Sequence, residues 1–285
     1  MRALTASTLF ALTVSAAALA ATGPAPVTAP AVAADSTIYA GVSGVVVVDN
    51  GTFVVRGAGP FDRQESFEVL RRPDGGFTLL NTITAASGTY RSQGRFDFDA
   101  GWNAQSAHGI GVYAGKPVTM ALVRNGKQVE VTIAAPAGAS AGIRGRSATA
   151  VCDPSCFIDL SPSIMPMFVM TRHYDFARGG EQTFRWAGQD LDQDRTLSGG
   201  SVSIRFDAES RVQRAGGGSL QIRHFTFVES IPLPNGGVFR MNFDLWTDLD
   251  HAPLAFRARS PGGAPAGIFG LRKSHEDLRV ALSAP

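Results

Sequence analysis

SLQIRHFTFVES (219–230), PNGG (234–237) and VFRMNFDLWT (238–247) decide the fold of this chain. In the first run Phe225, Phe227 and Glu229 alternate with His224, Thr226 and Val228. Side chains of an extended chain point to alternate faces, so a period of two reads as a strand with one buried and one wet face. Asn-Gly supplies the positive φ that a tight connection needs, which makes the two runs an antiparallel hairpin.

The same pattern recurs outward from this hairpin. Ser66 to Arg71 and Phe77 to Thr84 flank Pro73-Asp74-Gly75-Gly76, and Pro117 to Val123 and Gln128 to Ile133 flank Arg124-Asn125-Gly126-Lys127. A valine run from Gly44 to Asp49 is expected to turn at Asp49-Asn50-Gly51 and resume over Thr52 to Arg56. Phe96 and Phe98 point one way while Asp97 and Asp99 point the other. No strand–helix–strand spacing is visible, which excludes a doubly wound α/β fold. The expected fold is mostly β: a large curved antiparallel sheet, or two β-rich halves, with a short helix on the concave face.

That helix is expected in the stretch Cys152-Asp153-Pro154-Ser155-Cys156 to Met170, which holds both cysteines and three of the six methionines. Ser161-Pro162 reads as its start, with Ser as N-cap and Pro in the first turn. Ile164, Phe168 and Thr171 form one stripe, and Met167, Met170 and Tyr174 a neighbouring one. Such stripes ordinarily pack a core. Methionine is also flexible enough to line an adaptable apolar pocket. The candidate ligand-binding residues are therefore Met165, Met167, Phe168, Met170, Tyr174 and Trp186, bulky groups at or just after the break in the strand pattern.

The ends and joints of the chain give its organisation. Residues 1–20 read as a signal peptide: Met1-Arg2, a short uncharged stretch around Leu9 to Val14, and Ala18-Leu19-Ala20 as the cleavage pattern. The stretch is too short and too rich in Ala, Ser and Thr for a membrane span, which needs about 20 apolar residues. Residues 21–34 form an Ala/Pro-rich lead-in, 35–135 a β-rich half, 136–150 a linker, 151–198 a disulfide-bearing and Met-rich helical insert, and 199–285 a second β-rich half. The expected location is outside the cytoplasm, periplasmic or extracellular. There Cys152 and Cys156 read as a disulfide. A redox pair is more usually Cys-x-x-Cys at a helix start, and no histidine lies nearer than His173 to make a metal site.

Catalytic signals are weak. Gly138-Ala139-Ser140-Ala141-Gly142 matches a nucleophile elbow in letters but lies in the Ala/Gly-rich linker, without the strand and helix an elbow needs. Asp190-x-Asp192-x-Asp194 resembles the start of a calcium loop, yet the sixth position is Arg195 and the twelfth Ser201. His173 and Asp175 stand two apart and read as surface or capping groups. A net charge of +2, with arginines scattered along the chain, gives no stripe for nucleic acid. No cofactor and no metal is implied, and no motif sets an oligomeric state.

Gly59 to Leu79, Phe96-Asp-Phe-Asp-Ala-Gly-Trp102 with its Asp-x-x-Trp turn, and Asp159-Leu160-Ser161-Pro162 resemble segments of periplasmic β-sheet families of unassigned function. These families are similar to lipoprotein-carrier and glycolipid-binding architectures, in which a helix fills a half-open barrel. The resemblance implies binding of an apolar small molecule or lipid and carries over no catalytic residue set. The leading expectation is an exported, non-catalytic binder or carrier of a lipid or glycolipid. The alternatives are a cell-envelope interaction domain with a filled core, and a serine hydrolase using His173, His224, His251 or His275 as base.

Overall fold

The structure is a computed structural model that describes residues 43–57, 62–86, 91–113, 116–134, 146–151, 156–160, 163–189, 198–232, 236–260 and 265–283. The first half supplies β1 (Val46–Arg56), β2 (Arg63–Arg71), β3 (Phe77–Ala85), β4 (Arg91–Phe98), β5 (Ala104–Tyr113), β6 (Lys116–Asn125), β7 (Gln128–Ala134) and β8 (Arg146–Val151). Then come β9 (Cys156–Leu160), α1 (Met165–Met170), a 3-10 turn at Thr171–His173 and β10 (Glu181–Gln189). The remainder is β11 (Ser198–Gln213), β12 (Ser219–Pro232), β13 (Val238–Thr247), β14 (Pro253–Arg259), β15 (Pro265–Arg272), a 3-10 segment Lys273–Leu278 and α2 (Arg279–Ser283).

All fifteen described strands belong to one sheet, ordered β8-β7-β6-β5-β4-β3-β2-β1-β15-β14-β13-β12-β11-β10-β9. The two halves meet where β1 pairs antiparallel with β15, Phe53 opposite Arg272. β9 also packs beside β5, which stands near the other end of that order, so the sheet curls round on itself without closing. Its inner face carries the alternating residues expected from sequence. Phe96, Phe98, Phe225 and Phe227 are buried there, in one cluster that runs from Val129 and Val131 of β7 to Phe157 of β9 and includes α1. The outer face has a smaller cluster in which Leu278 and Leu282 of the C-terminal segment cover Trp246, Leu254 and Leu271. Nearby, Asp244 is fully buried and takes Arg257 and Arg259 on Oδ2 and His224 on Oδ1. These partners overcome burial and hold its carboxyl down to about 2.

Several expectations need correcting. Asp49-Asn50-Gly51 is no hairpin turn, because β1 runs straight through it with only a register shift between Val47 and Asp49. A long-range contact overrides the local signal: the Arg272 guanidinium takes the Asp49 carboxylate and the Asn50 carbonyl. Gly51 is needed there for close approach, since a Cβ on it would stand 2.8 Å from Arg272 Nε. Residues 146–150 are strand β8 and not linker. The described strands of the 151–198 segment are part of the sheet, with β9 parallel to β10 and α1 between them in the chain. This parallel unit escapes a periodicity reading because the five residues of β9 are too few to show a strand's alternation ahead of the helix. The helix also starts later than Ser161, with Ile164 as N-cap and Pro166 in the first turn. The predicted leader and lead-in, Cys152, Ser140 and the Asp190–Asp194 motif lie outside the described residues. No helix among the described residues is long and apolar enough to cross a membrane.

Candidate functional site

The parallel crossover brings α1 onto the inner face, and both of its ends are tied there by polar groups. At the start, Glu65 of β2 points inward because it shares a face with Phe67 and Val69. Fully buried, it accepts from Asn81 Nδ2 (2.9 Å), from Ser163 Oγ (2.5 Å) and from the Ile164 backbone N–H (3.2 Å). The Ser163 hydroxyl in turn accepts from the Met165 N–H (3.1 Å), satisfying a donor that a helix start leaves open.

The exit is tied by two hairpin turns with a shared geometry. In the turns Arg72–Gly76 and Arg214–Gly218 the fourth residue is glycine with positive φ, Gly75 and Gly217. The turns Asp99–Asn103 and Asp248–Ala252 have the same backbone hydrogen bonds, but there the fourth residues are Trp102 (φ 64°) and His251 (φ 62°). A left-handed conformation costs an L residue about 1–2 kcal/mol, so something at this rim compensates for two such residues. Both hold the 3-10 turn. His173 Nε2 donates to the Trp102 carbonyl at 3.0 Å. The Thr171 hydroxyl donates to the Phe168 carbonyl (2.7 Å) and so accepts from His251 Nδ1 (2.9 Å). That leaves His251 Nε2 to accept from Arg223 (3.3 Å), which makes the ring neutral with its proton on Nδ1. Burial, with Arg172 and Arg223 close by, pushes its pKa down to about 4.

Between these ties lies Arg172. Its guanidinium stacks 4.2 Å over the Trp102 ring, which itself stacks on Phe77 at 4.1 Å. Burial pulls its pKa below the ordinary arginine value, against the opposing pull of Asp248, Asp49 and Asp250.

Two small cavities flank α1. One, of about 20 Å³, has Met165, Phe168, Phe67 and Leu79 as an apolar floor, with Arg172, Trp102, Asp49 and His251 at its polar side. The other, of about 30 Å³, is lined by Pro166, Met167, Met170, Trp186, Val202, Phe227, Glu229 and Phe243. Five of the six sequence-proposed residues, Met165, Met167, Phe168, Met170 and Trp186, thus line one cavity or the other. The sixth, Tyr174, is buried against Phe225, with its hydroxyl donating to the Gly180 carbonyl at 2.6 Å. The Trp186 indole N–H is buried without an acceptor among the described residues.

The proposed histidine bases are spread over the molecule. His173 and His251 hold the 3-10 turn, and His224 sits on the outer face between Asp244 and Asp207, stacked on Trp246. His275 contacts the hydroxyl of its exposed neighbour Ser274. Asp175 does not meet His173; it accepts from the Ala177 and Arg178 N–H groups in the next loop. No group of three or more metal-ligating side chains is present among the described residues. Glu65, Asn81, Ser163 and Arg172 escaped the sequence reading. The inward position of Glu65 was visible in the alternation, and the aromatic residues at a turn position that favours glycine marked Trp102 and His251.

No family model matches the chain, and no curated protein matches its sequence. One solved structure is similar in outline: the crystal structure of a β-barrel-like protein of domain of unknown function DUF1849 from Brucella abortus. The match has 8% identity and a TM-score of 0.47, over 80% of this chain and 97% of that one.

Proposed function

We propose that the protein is an exported, non-catalytic binder of an apolar ligand of lipid or glycolipid class, taken up against α1. The observation that carries this reading is the pair of apolar cavities on the two flanks of α1, lined by its three methionines. Methionine side chains repack around ligands of varied shape. The indole N–H of Trp186, without an acceptor among the described residues, adds a donor beside one of these cavities.

The cavities set how uptake must proceed. Ligand pockets measure roughly 300–1,000 Å³, so α1 has to yield before a lipid chain fits. Exposing Ile164, Met165, Phe168, Val169 and Met170 to water costs on the order of 10 kcal/mol at about 1.5–3 kcal/mol per side chain. The helix therefore moves only as ligand replaces its contacts, and the described form is the closed one. Its polar ties lie at its two ends, which suits displacement of the whole segment.

The test is organic extraction of the purified protein followed by mass spectrometry, with binding of the uncharged fluorescent probe phenylnaphthylamine and hydrogen exchange of residues 163–171. Binding should accelerate exchange at the polar ties or change protection across α1. A protein that releases nothing, binds no probe and keeps α1 exchange constant is instead the interaction domain with a filled core, a reading favoured by the small size of the cavities.

A further inference from the structure

We propose that Arg172 receives an anionic headgroup, a carboxylate or a phosphate, on the ligand that binds against α1. The inference rests on the apolar-ligand reading above and specifies the other end of that ligand.

A guanidinium brings five N–H donors in a planar fork. Among the described residues none of the Arg172 donors meets an acceptor, and its close partner is the face of Trp102. Of the three carboxylates that act on it, two are already engaged and the third, Asp250, makes no hydrogen bond to it. Asp49 is paired with Arg272 (2.6 Å), and Asp248 accepts from the Asp250 and Ala252 N–H groups. Arg223 donates to the Leu249 carbonyl and pairs with Glu209. Among the described residues, Arg172 is thus the cation at this rim without a hydrogen-bonded acceptor.

In the closed form it is also held in place. The residues on either side of it, Thr171 and His173, are fixed by His251 and by the Trp102 carbonyl, the two positions that accept left-handed backbone. Strain of this kind persists where the surroundings require one geometry, and it clusters at ligand clamps. Arg172 and the Trp102 on which its guanidinium stacks both line the cavity that Phe67, Leu79, Met165 and Phe168 share. An acid group on the fork would lead an attached chain onto that floor. The fork matches carboxylate and phosphate oxygens two at a time, which a neutral alcohol cannot do.

The experiment uses the full chain and displacement of phenylnaphthylamine by dodecanoate, dodecyl phosphate, dodecanol and inorganic phosphate. A charged hydrogen-bonded head should bring dodecanoate or dodecyl phosphate about tenfold or more below dodecanol in dissociation constant. Arg172→Gln should bring acid and alcohol to the same affinity, and Arg172→Lys should keep part of the preference. Thermal unfolding of each variant verifies that the fold is intact, and direct calorimetry of inorganic phosphate identifies a free anion as the source. Equal affinity for acid and alcohol, insensitive to Arg172, overturns the headgroup and leaves the apolar binder standing. Phosphate binding that depends on Arg172 with no gain from a chain keeps the anion site and overturns the apolar reading. If none of the four binds, both fall.

Discussion

Replacing Glu65 with alanine removes the acceptor that seats the start of α1, and the cost follows from its three bonds. The Asn81 amide and Ser163 hydroxyl keep each other at 2.8 Å after the change. The Ile164 N–H keeps nothing, and an unpaired buried donor costs about 1–3 kcal/mol. Loss of the short Ser163–Glu65 bond and of the packed side chain adds about 1–2 kcal/mol. Glu65→Ala should therefore destabilise the protein by about 3–4 kcal/mol, a large share of the 5–15 kcal/mol typical of a domain. Glu65→Gln preserves shape but puts an NH₂ where one of the donors now points, and should cost about 2 kcal/mol. Urea unfolding followed by circular dichroism measures both, and a double-mutant cycle with Ser163→Ala should show coupling of about 1–2 kcal/mol. Hydrogen exchange should speed up first at residues 163–170, and probe uptake should quicken in Glu65→Gln. A Glu65→Ala cost below about 1 kcal/mol, or additivity with Ser163→Ala within about 0.5 kcal/mol, refutes the role of Glu65 in seating α1.

Three further outcomes follow from the same geometry. A Cβ on Gly270 would stand 2.0 Å from Phe256 Cε1, so Gly270→Ala should cost about 3 kcal/mol by overpacking, read as a lowered Tm. Trp102→Gly and His251→Gly should each be more stable than the matching alanine variant by about 1 kcal/mol, since both replacements lose the same contacts and only glycine relieves the positive φ; equal stabilities in denaturant would remove the strain. His251 has a folded pKa of about 4, below its ordinary 6.5, so the unfolded chain binds the extra proton between those values. Its contribution is complete above pH 6.5 and is lost as pH falls to about 4, by about 1–2 kcal/mol once partial exposure is discounted. His251→Asn should flatten the stability–pH profile across that window, and an unchanged slope would contradict the assignment.

Much of the sheet was legible because strand alternation and turn chemistry are local. The pairing of β12 with β13 across 233–237, and of β2 with β3 across Pro73 to Gly76, follows directly from them. Local signals failed where a partner distant in sequence intervened. Arg272 straightens Asp49-Asn50-Gly51 into a strand, and no nearby residue announces it. The site divided in the same way. The methionine stripe could be read from composition, since flexible apolar side chains in a short interruption have few other uses. Arg172 could not, because in Thr171-Arg172-His173 it reads as a basic helix end. That it meets no acceptor among the described residues is a property of the assembled rim.

The ties on α1 come from both halves of the chain, and this links its seating to the seam between β1 and β15. Glu65, Asn81 and the Trp102 carbonyl belong to the first half, and His251 to the second. Among the described strands, hydrogen-bonded pairing joins the halves at β1–β15, close to the Asp49–Arg272 pair. A shift at that seam moves His251 relative to Trp102 and so alters both sides of the Arg172 clamp at once. An anion drawn onto Arg172 would act in the reverse direction, pulling the guanidinium off the Trp102 ring and loading the two strained turns. The first cavity lies directly beside that ring and the exit of α1, whereas Glu65 holds the opposite end of the helix. Entry of a headgroup at the rim should therefore free the Thr171 end of α1 first, with the Glu65 end released only as the chain advances along Phe168 and Met165. Exchange at Thr171 and His173 that rises at lower ligand concentration than exchange at Ile164 and Met165 would establish this order, and simultaneous release would rule it out.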